Sequence, residues 1–104
     1  GFLGNGFQEV IYQRALAYEL WSKGLNYQRE IEMDIYYKDL EEPTGTRRAD
    51  FIVEDKIVVE IKAVIELQDV HLAQILNYLK AYRMEVGLLS NFGSKSMTFK
   101  RVVL

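Results

Sequence analysis

The sequence predicts a small α/β or α+β domain with a mixed β-sheet flanked by helices. Three observations predict it. The order of periodic segments reads α-β-β-β-α-β-β, a succession that packs helices against a sheet. Two short β-branched runs, Arg47–Val53 and Ile57–Ala63, are joined closely enough to fold back on each other as a hairpin. The chain has 104 residues, 49% of them hydrophobic, which suits one domain over 1–104 with a modest core.

Each element has its own signal. Asn5 followed by Gln8 resembles a capping box, in which side chains satisfy orphan donors at a helix start. Tyr12, Leu16 and Leu20 then recur every fourth residue, and Gly24 falls where a left-handed residue should end the helix. Glu9, one turn before Tyr12, joins the same stripe. From Tyr27 to Tyr37, Ile31, Met33 and Ile35 alternate with Glu30, Glu32 and Asp34, predicting a strand with one wet face. Asp39 to Thr46 contains the only proline and Gly45 and reads as a loop. Arg47–Val53 and Ile57–Ala63 are two further strands, joined around Glu54-Asp55-Lys56. A well-buried helix runs from Leu67 or Val70 to Tyr82. Strands at Val86–Asn91 and Met97–Val103 follow, separated by a turn at Gly93-Ser94.

Composition excludes several chemistries. With no cysteine there is no disulfide, thiolate zinc site or cysteine nucleophile. The lack of cysteine fits a cytoplasmic protein. No apolar run approaches the ~20 residues of a membrane span, and no signal-peptide pattern opens the chain. The chain begins without methionine and stops in a strand-like run, as a trimmed fragment would. A net charge of −2 argues mildly against non-specific nucleic-acid affinity, although Lys95, Lys100 and Arg101 make the C-terminal stretch basic. Those charges suit a solvated edge strand as well as a phosphate backbone.

The chemistry concentrates at Asp50 and, ten residues on, Glu60-Ile61-Lys62. Side chains alternate across a strand, so Glu60 and Lys62 share a face. A two-residue loop at Asp55-Lys56 would turn Asp50 to the opposite face. A three-residue loop, Glu54 to Lys56, would set it across from Glu60, because a one-residue slip flips every side chain. In the second register two carboxylates converge, which is unfavourable unless one is protonated or a cation intervenes. A hard ion such as Mg²⁺ is held by one or two carboxylates plus substrate phosphate, and a nearby lysine can orient water or stabilise charge. Phosphodiester hydrolysis follows as a chemical possibility.

Blander accounts exist for each residue. Glu60 and Lys62 could be solvated strand residues, although charges within so apolar a run need partners. Glu9 suits the helix dipole. Arg48 shares parity with Asp50 and could pair with a carboxylate or touch substrate. Gln74 and Tyr78 stack four apart on one helix face, with His71 one turn earlier, a pattern that is usually structural.

Together these pieces resemble the PD-(D/E)XK nuclease superfamily, and within it the small bacterial and archaeal GxxExxY proteins. Gly6-Phe7-Gln8-Glu9-Val10-Ile11-Tyr12 matches the namesake motif at every fixed position. Ala49-Asp50-Phe51-Ile52-Val53-Glu54 resembles the second motif strand, Val59-Glu60-Ile61-Lys62-Ala63-Val64 the third. His71-x-x-Gln74-x-x-Asn77-Tyr78-Leu79 resembles the helix that follows, and Gly87 to Gly93 the next strand. Arg47-Arg48-Ala49 carries no proline before Asp50, a common departure.

The resemblance implies a restriction-endonuclease-like αβββαβ core and a nuclease using Mg²⁺ (or Mn²⁺) on DNA rather than RNA. It implies Asp50, Glu60 and the Ile61 carbonyl as metal ligands, with Glu9 closing the metal shell or touching its waters. Lys62 would be the catalytic lysine. Gln74 and Tyr78 would orient the site or contact nucleic acid. The alternative on the same fold is a non-catalytic nucleic-acid-binding or protein-interaction module. A homodimer paired through the C-terminal edge is one way to extend so small a binding surface.

Overall fold

In a computed structural model the chain folds as α1 (Gly4–Ser22), β1 (Tyr27–Ile35), β2 (Gly45–Val53), β3 (Ile57–Lys62), α2 (Asp69–Tyr82), β4 (Val86–Asn91) and β5 (Thr98–Val103). The structure describes residues 4–35, 45–93 and 97–104, with side chains described for 8–29, 49–93 and 97–104. The strands form one sheet in the order β1-β2-β3-β4-β5. β3 and β4 pair in parallel and the other neighbours antiparallel. α2 is therefore the crossover that a parallel pair requires. This is the mixed-sheet α+β architecture, consistent with a restriction-endonuclease-like core.

One helix serves each face of the sheet. Ala17 and Leu20 of α1 pack with Phe51, Val53, Val59 and Ile61. Ile75, Tyr78 and Leu79 of α2 pack with Ala49, Val58, Leu89 and Val102. α2 lies so close to β4 that a Cβ at Gly87 would meet the Ile75 side chain at 2.8 Å. Among the described residues, no helix is long and apolar enough to cross a membrane.

The helix ends follow from local chemistry. Gly24 sits at φ +72°, with Gly24 N donating to Trp21 O and Leu25 N to Leu20 O. This is the paired bonding of a Schellman cap. Met84 N donates to Leu79 O and Arg83 N to Lys80 O at the end of α2, but Arg83 takes the left-handed position there at φ 58°. At the start of α2, Gln68 N donates to His71 Nδ1 at 2.9 Å, so the single histidine caps its helix.

The loop and several element boundaries differ from expectation. β2 begins at Gly45, because Ile35 pairs with Gly45 and Asp34 with Thr46. Ladder bonding thus overrides the turn propensity of these two residues. Residues 36–37 of the expected first strand, 39–44 of the expected loop and 94–96 around the last turn lie outside the described residues. β3 stops at Lys62, one residue short of Ala63, and α2 begins at Asp69. α1 begins at Gly4, so Asn5 lies inside the helix rather than capping it; its side chain is not among those described.

Candidate active site

The hairpin loop decides where Asp50 points. Val53 pairs with Ile57, leaving Glu54, Asp55 and Lys56 as the three-residue connection. Glu54 and Asp55 both take positive φ, at 54° and 55°, and Lys56 N donates to Val53 O at 3.0 Å. The register continues through Ile52–Val58 and Phe51–Val59. One step further, counting would put Asp50 against Glu60.

There the strands part. Ile61 N donates to Asp50 Oδ2 at 2.7 Å, so a side-chain carboxylate takes the place of a ladder carbonyl. Ala49 joins the α2-side core although Phe51, two residues on, joins the α1 side, so the alternation is interrupted at Asp50. Ala49 N donates instead to the Tyr82 hydroxyl at 3.2 Å. The fork between β2 and β3 opens space for the two carboxyl groups.

Asp50 Oδ1 accepts from Gln13 Nε2 at 3.1 Å. Glu60 is 3% exposed, and its Oε1 is buried without a hydrogen-bond partner. Burial pushes the Glu60 carboxyl up to about 10, the Asp50 charge and a hydrogen bond with Asp50 add to the rise, and Lys62 opposes it. Glu9, half-buried on α1, is also raised by burial; Lys62 draws it down, Asp50 lifts it, and the Ala63 amide and His71 draw it down. Burial raises Tyr82 as well, opposed by its Ala49 bond and reinforced by Glu60. The fold therefore gathers Asp50, Glu60, Lys62 and Glu9 into one electrostatic cluster.

The cluster is not a protein-only metal cage. Among the described residues no three histidine or acidic side chains converge closely enough to hold an ion. The donor set is the Asp50–Glu60 pair, with Glu9 further out. Two carboxylates suit Mg²⁺, which keeps several waters and takes substrate oxygens. An orphaned, buried carboxyl oxygen costs free energy unless something satisfies it, and a hard cation would. The residues present fit such an ion.

The end of β3 is braced from below. Phe92 N donates to Lys62 O at 2.8 Å, and Asn91 Oδ1 accepts from both Val64 N and Gly93 N at 3.0 Å. Phe92 stacks on Tyr12 with centroids 4.0 Å apart and planes at 13°, tying α1 to the same corner. A Cβ at Gly93 would lie 2.5 Å from Ala63 C and Val64 O, and closer still to Val64 N. These are backbone atoms with no side-chain freedom to yield. Gly93→Ala should therefore cost about 2 kcal/mol or more, read as a lower urea midpoint at unchanged slope.

Other expected residues sit at the margin. Tyr78 is buried in the α2-side core, 6.3 Å ring to ring from Tyr82, and Gln74 is half-buried one turn earlier. Arg48 pairs through its backbone with Glu32, while its side chain lies outside those described. His71 acts as a cap. Sequence reasoning missed Gln13, Asn91 and Tyr82. Gln13 left a usable signal: it is a polar residue on the buried stripe, one turn after Glu9.

This architecture and carboxylate pair define a nuclease-like class of domain, and comparison with known proteins agrees. The chain belongs to the PD-(D/E)XK nuclease superfamily, whose family model matches residues 2–102. No curated protein is significantly similar in sequence. Among solved structures, the crystal structure of SSO0001 is similar with a TM-score of 0.70 and 21% identity, over 94% of this chain and 50% of that one. The chain spans half the length of that structure, and a likeness at this identity shows the fold.

Proposed function

We propose that this chain is a divalent-metal-dependent nuclease of the GxxExxY kind, acting in the cytoplasm on DNA in preference to RNA. The observation that carries this reading is the buried carboxyl pair at the β2–β3 fork, with Glu60 Oε1 sealed from water and unpartnered. Asp50, Glu60 and the Ile61 carbonyl would hold Mg²⁺ or Mn²⁺, with Glu9 closing the shell. A bound hard cation polarises a phosphoryl oxygen and lowers the pKa of a coordinated water.

The chain's own residues supply the rest. Asp50, and Glu60 once its proton has left, would offer the cation carboxylate oxygens held in place by the sheet. Lys62, charged beside Glu9 and Glu60, orients the attacking water or neutralises charge developing on the phosphate. Gln74 and Tyr78 on α2 and Arg48 on β2 orient the site or contact the substrate. β5 is an edge strand with Lys100 and Arg101 exposed. Homodimer pairing along it would add basic surface that one chain lacks.

Calorimetric titration with Mg²⁺ and Mn²⁺ tests the reading. Wild type should bind, and Asp50→Asn/Glu60→Gln should not. A folded wild type that binds neither ion, with or without an oligonucleotide, would favour a non-catalytic nucleic-acid-binding or protein-interaction module instead.

A further inference from the structure

We infer that Gln13 is a positioning residue, which fixes the Asp50 carboxylate for the cation through a side-chain hydrogen bond from α1. The inference rests on the metal-dependent reading of the site and adds a residue to it. Gln13 Nε2 donates to Asp50 Oδ1 at 3.1 Å, while Ile61 N donates to Asp50 Oδ2 at 2.7 Å. The two donors come from different elements, a helix and a strand. Together they set the plane of the carboxylate, and each oxygen keeps a second lone pair.

The surroundings explain why an amide stands there. Gln13 shares the inward side of α1 with Leu16, Ala17 and Leu20, which pack against the sheet. A half-buried amide in that company has lost much of its water and needs a partner; among the described residues Asp50 supplies one. The direction of the bond matters too. The amide N–H donates and the carboxylate oxygen accepts, so the bond orients Asp50 and leaves lone pairs on the carboxylate for a metal. Glu60 lies within electrostatic reach of Asp50. Without Gln13, the Ile61 amide would be the one donor among the described residues that holds the Asp50 carboxylate.

Mn²⁺ binding to wild type and Gln13→Leu tests the assignment, since leucine keeps bulk and removes the donor. Mn²⁺ should bind roughly 10- to 100-fold more weakly, the usual effect of losing a group that orients a ligand, while the metal-free melting temperature stays close to wild type. Unchanged Mn²⁺ affinity in a folded Gln13→Leu overturns the assignment. Should that variant not fold, isotope-labelled wild type decides. The Gln13 side-chain amide and the Ile61 backbone amide report the two oxygens of Asp50, and their resonances should shift over the same range of added Mg²⁺. A moving Ile61 signal with a stationary Gln13 signal overturns the positioning role alone. Two stationary signals overturn the metal reading and this role with it.

Discussion

Glu60→Gln should raise the melting temperature of the metal-free protein at neutral pH and flatten its pH dependence. Burial is the largest reason, with the Asp50 charge next: they push the Glu60 carboxyl from 4.5 to about 10, against the pull of Lys62. Below the lower value both folded and unfolded chains hold the proton. Between the two values the unfolded chain releases it and the folded chain keeps it, so folding takes up a proton and stability falls as pH rises. One such group contributes a slope of at most about 1.4 kcal/mol per pH unit. The loss is complete above the folded value. Glutamine imitates the protonated acid and cannot lose that proton, so it removes the slope. Melting in chelator from about pH 5.5 to about pH 8.5 should show wild type falling more steeply than Glu60→Gln, with the gap widening with pH. A variant less stable than wild type at the upper end would mean that Glu60 is ionised and satisfied within the fold. The same proton must leave before a cation binds, so Mn²⁺ affinity of wild type should climb towards tenfold per pH unit over this range.

The architecture was legible because its signals were local. Four-residue spacing marked α1, Gly24 marked its end, and the β-branched runs around Glu54-Asp55-Lys56 marked the central hairpin. Asp50 and Glu60 were visible as a pair, but their shared face depended on one residue of loop length, which either register could satisfy on paper. The three-residue loop resolves it through two left-handed residues, Glu54 and Asp55, that carry no glycine to announce them. The fork itself was not legible. Nothing in Ala49-Asp50-Phe51 says that a carboxylate will replace a backbone carbonyl opposite Ile61. Asn91 was equally quiet, since its work is to accept two backbone amides from segments distant in sequence. Gly45 and Thr46 misled because turn propensity is local, whereas the pairing of β1 and β2 that recruits them is not. His71 lacked a second imidazole or cysteine partner in the sequence, which suits a structural role, and it closes the first turn of α2.

Lys62→Met should lower kcat by about 10²–10³, the cost of removing one preorganised stabiliser of transition-state charge, while the protein stays folded. The backbone at this position is held independently of the side chain, by Phe92 N on Lys62 O and by the Asn91 clamp two residues on. The substitution therefore removes a charge and leaves the β3 terminus in place. That charge has a second effect, since it draws down both Glu9 and Glu60. Its loss should let both carboxyl groups hold their protons to higher pH and move the onset of Mn²⁺ binding upward. The two effects separate in Lys62→Arg. Arginine restores a positive charge and with it the carboxyl titration, but its broad planar fork does not reproduce a compact ammonium. Mn²⁺ binding should recover its wild-type pH dependence in Lys62→Arg while kcat remains depressed. If arginine restores both together, Lys62 acts only by keeping the carboxylates ionised, and the water or phosphate contact assigned to it falls. If neither variant changes cleavage while chelator still abolishes it, the fork holds the metal and the attacking water is oriented elsewhere.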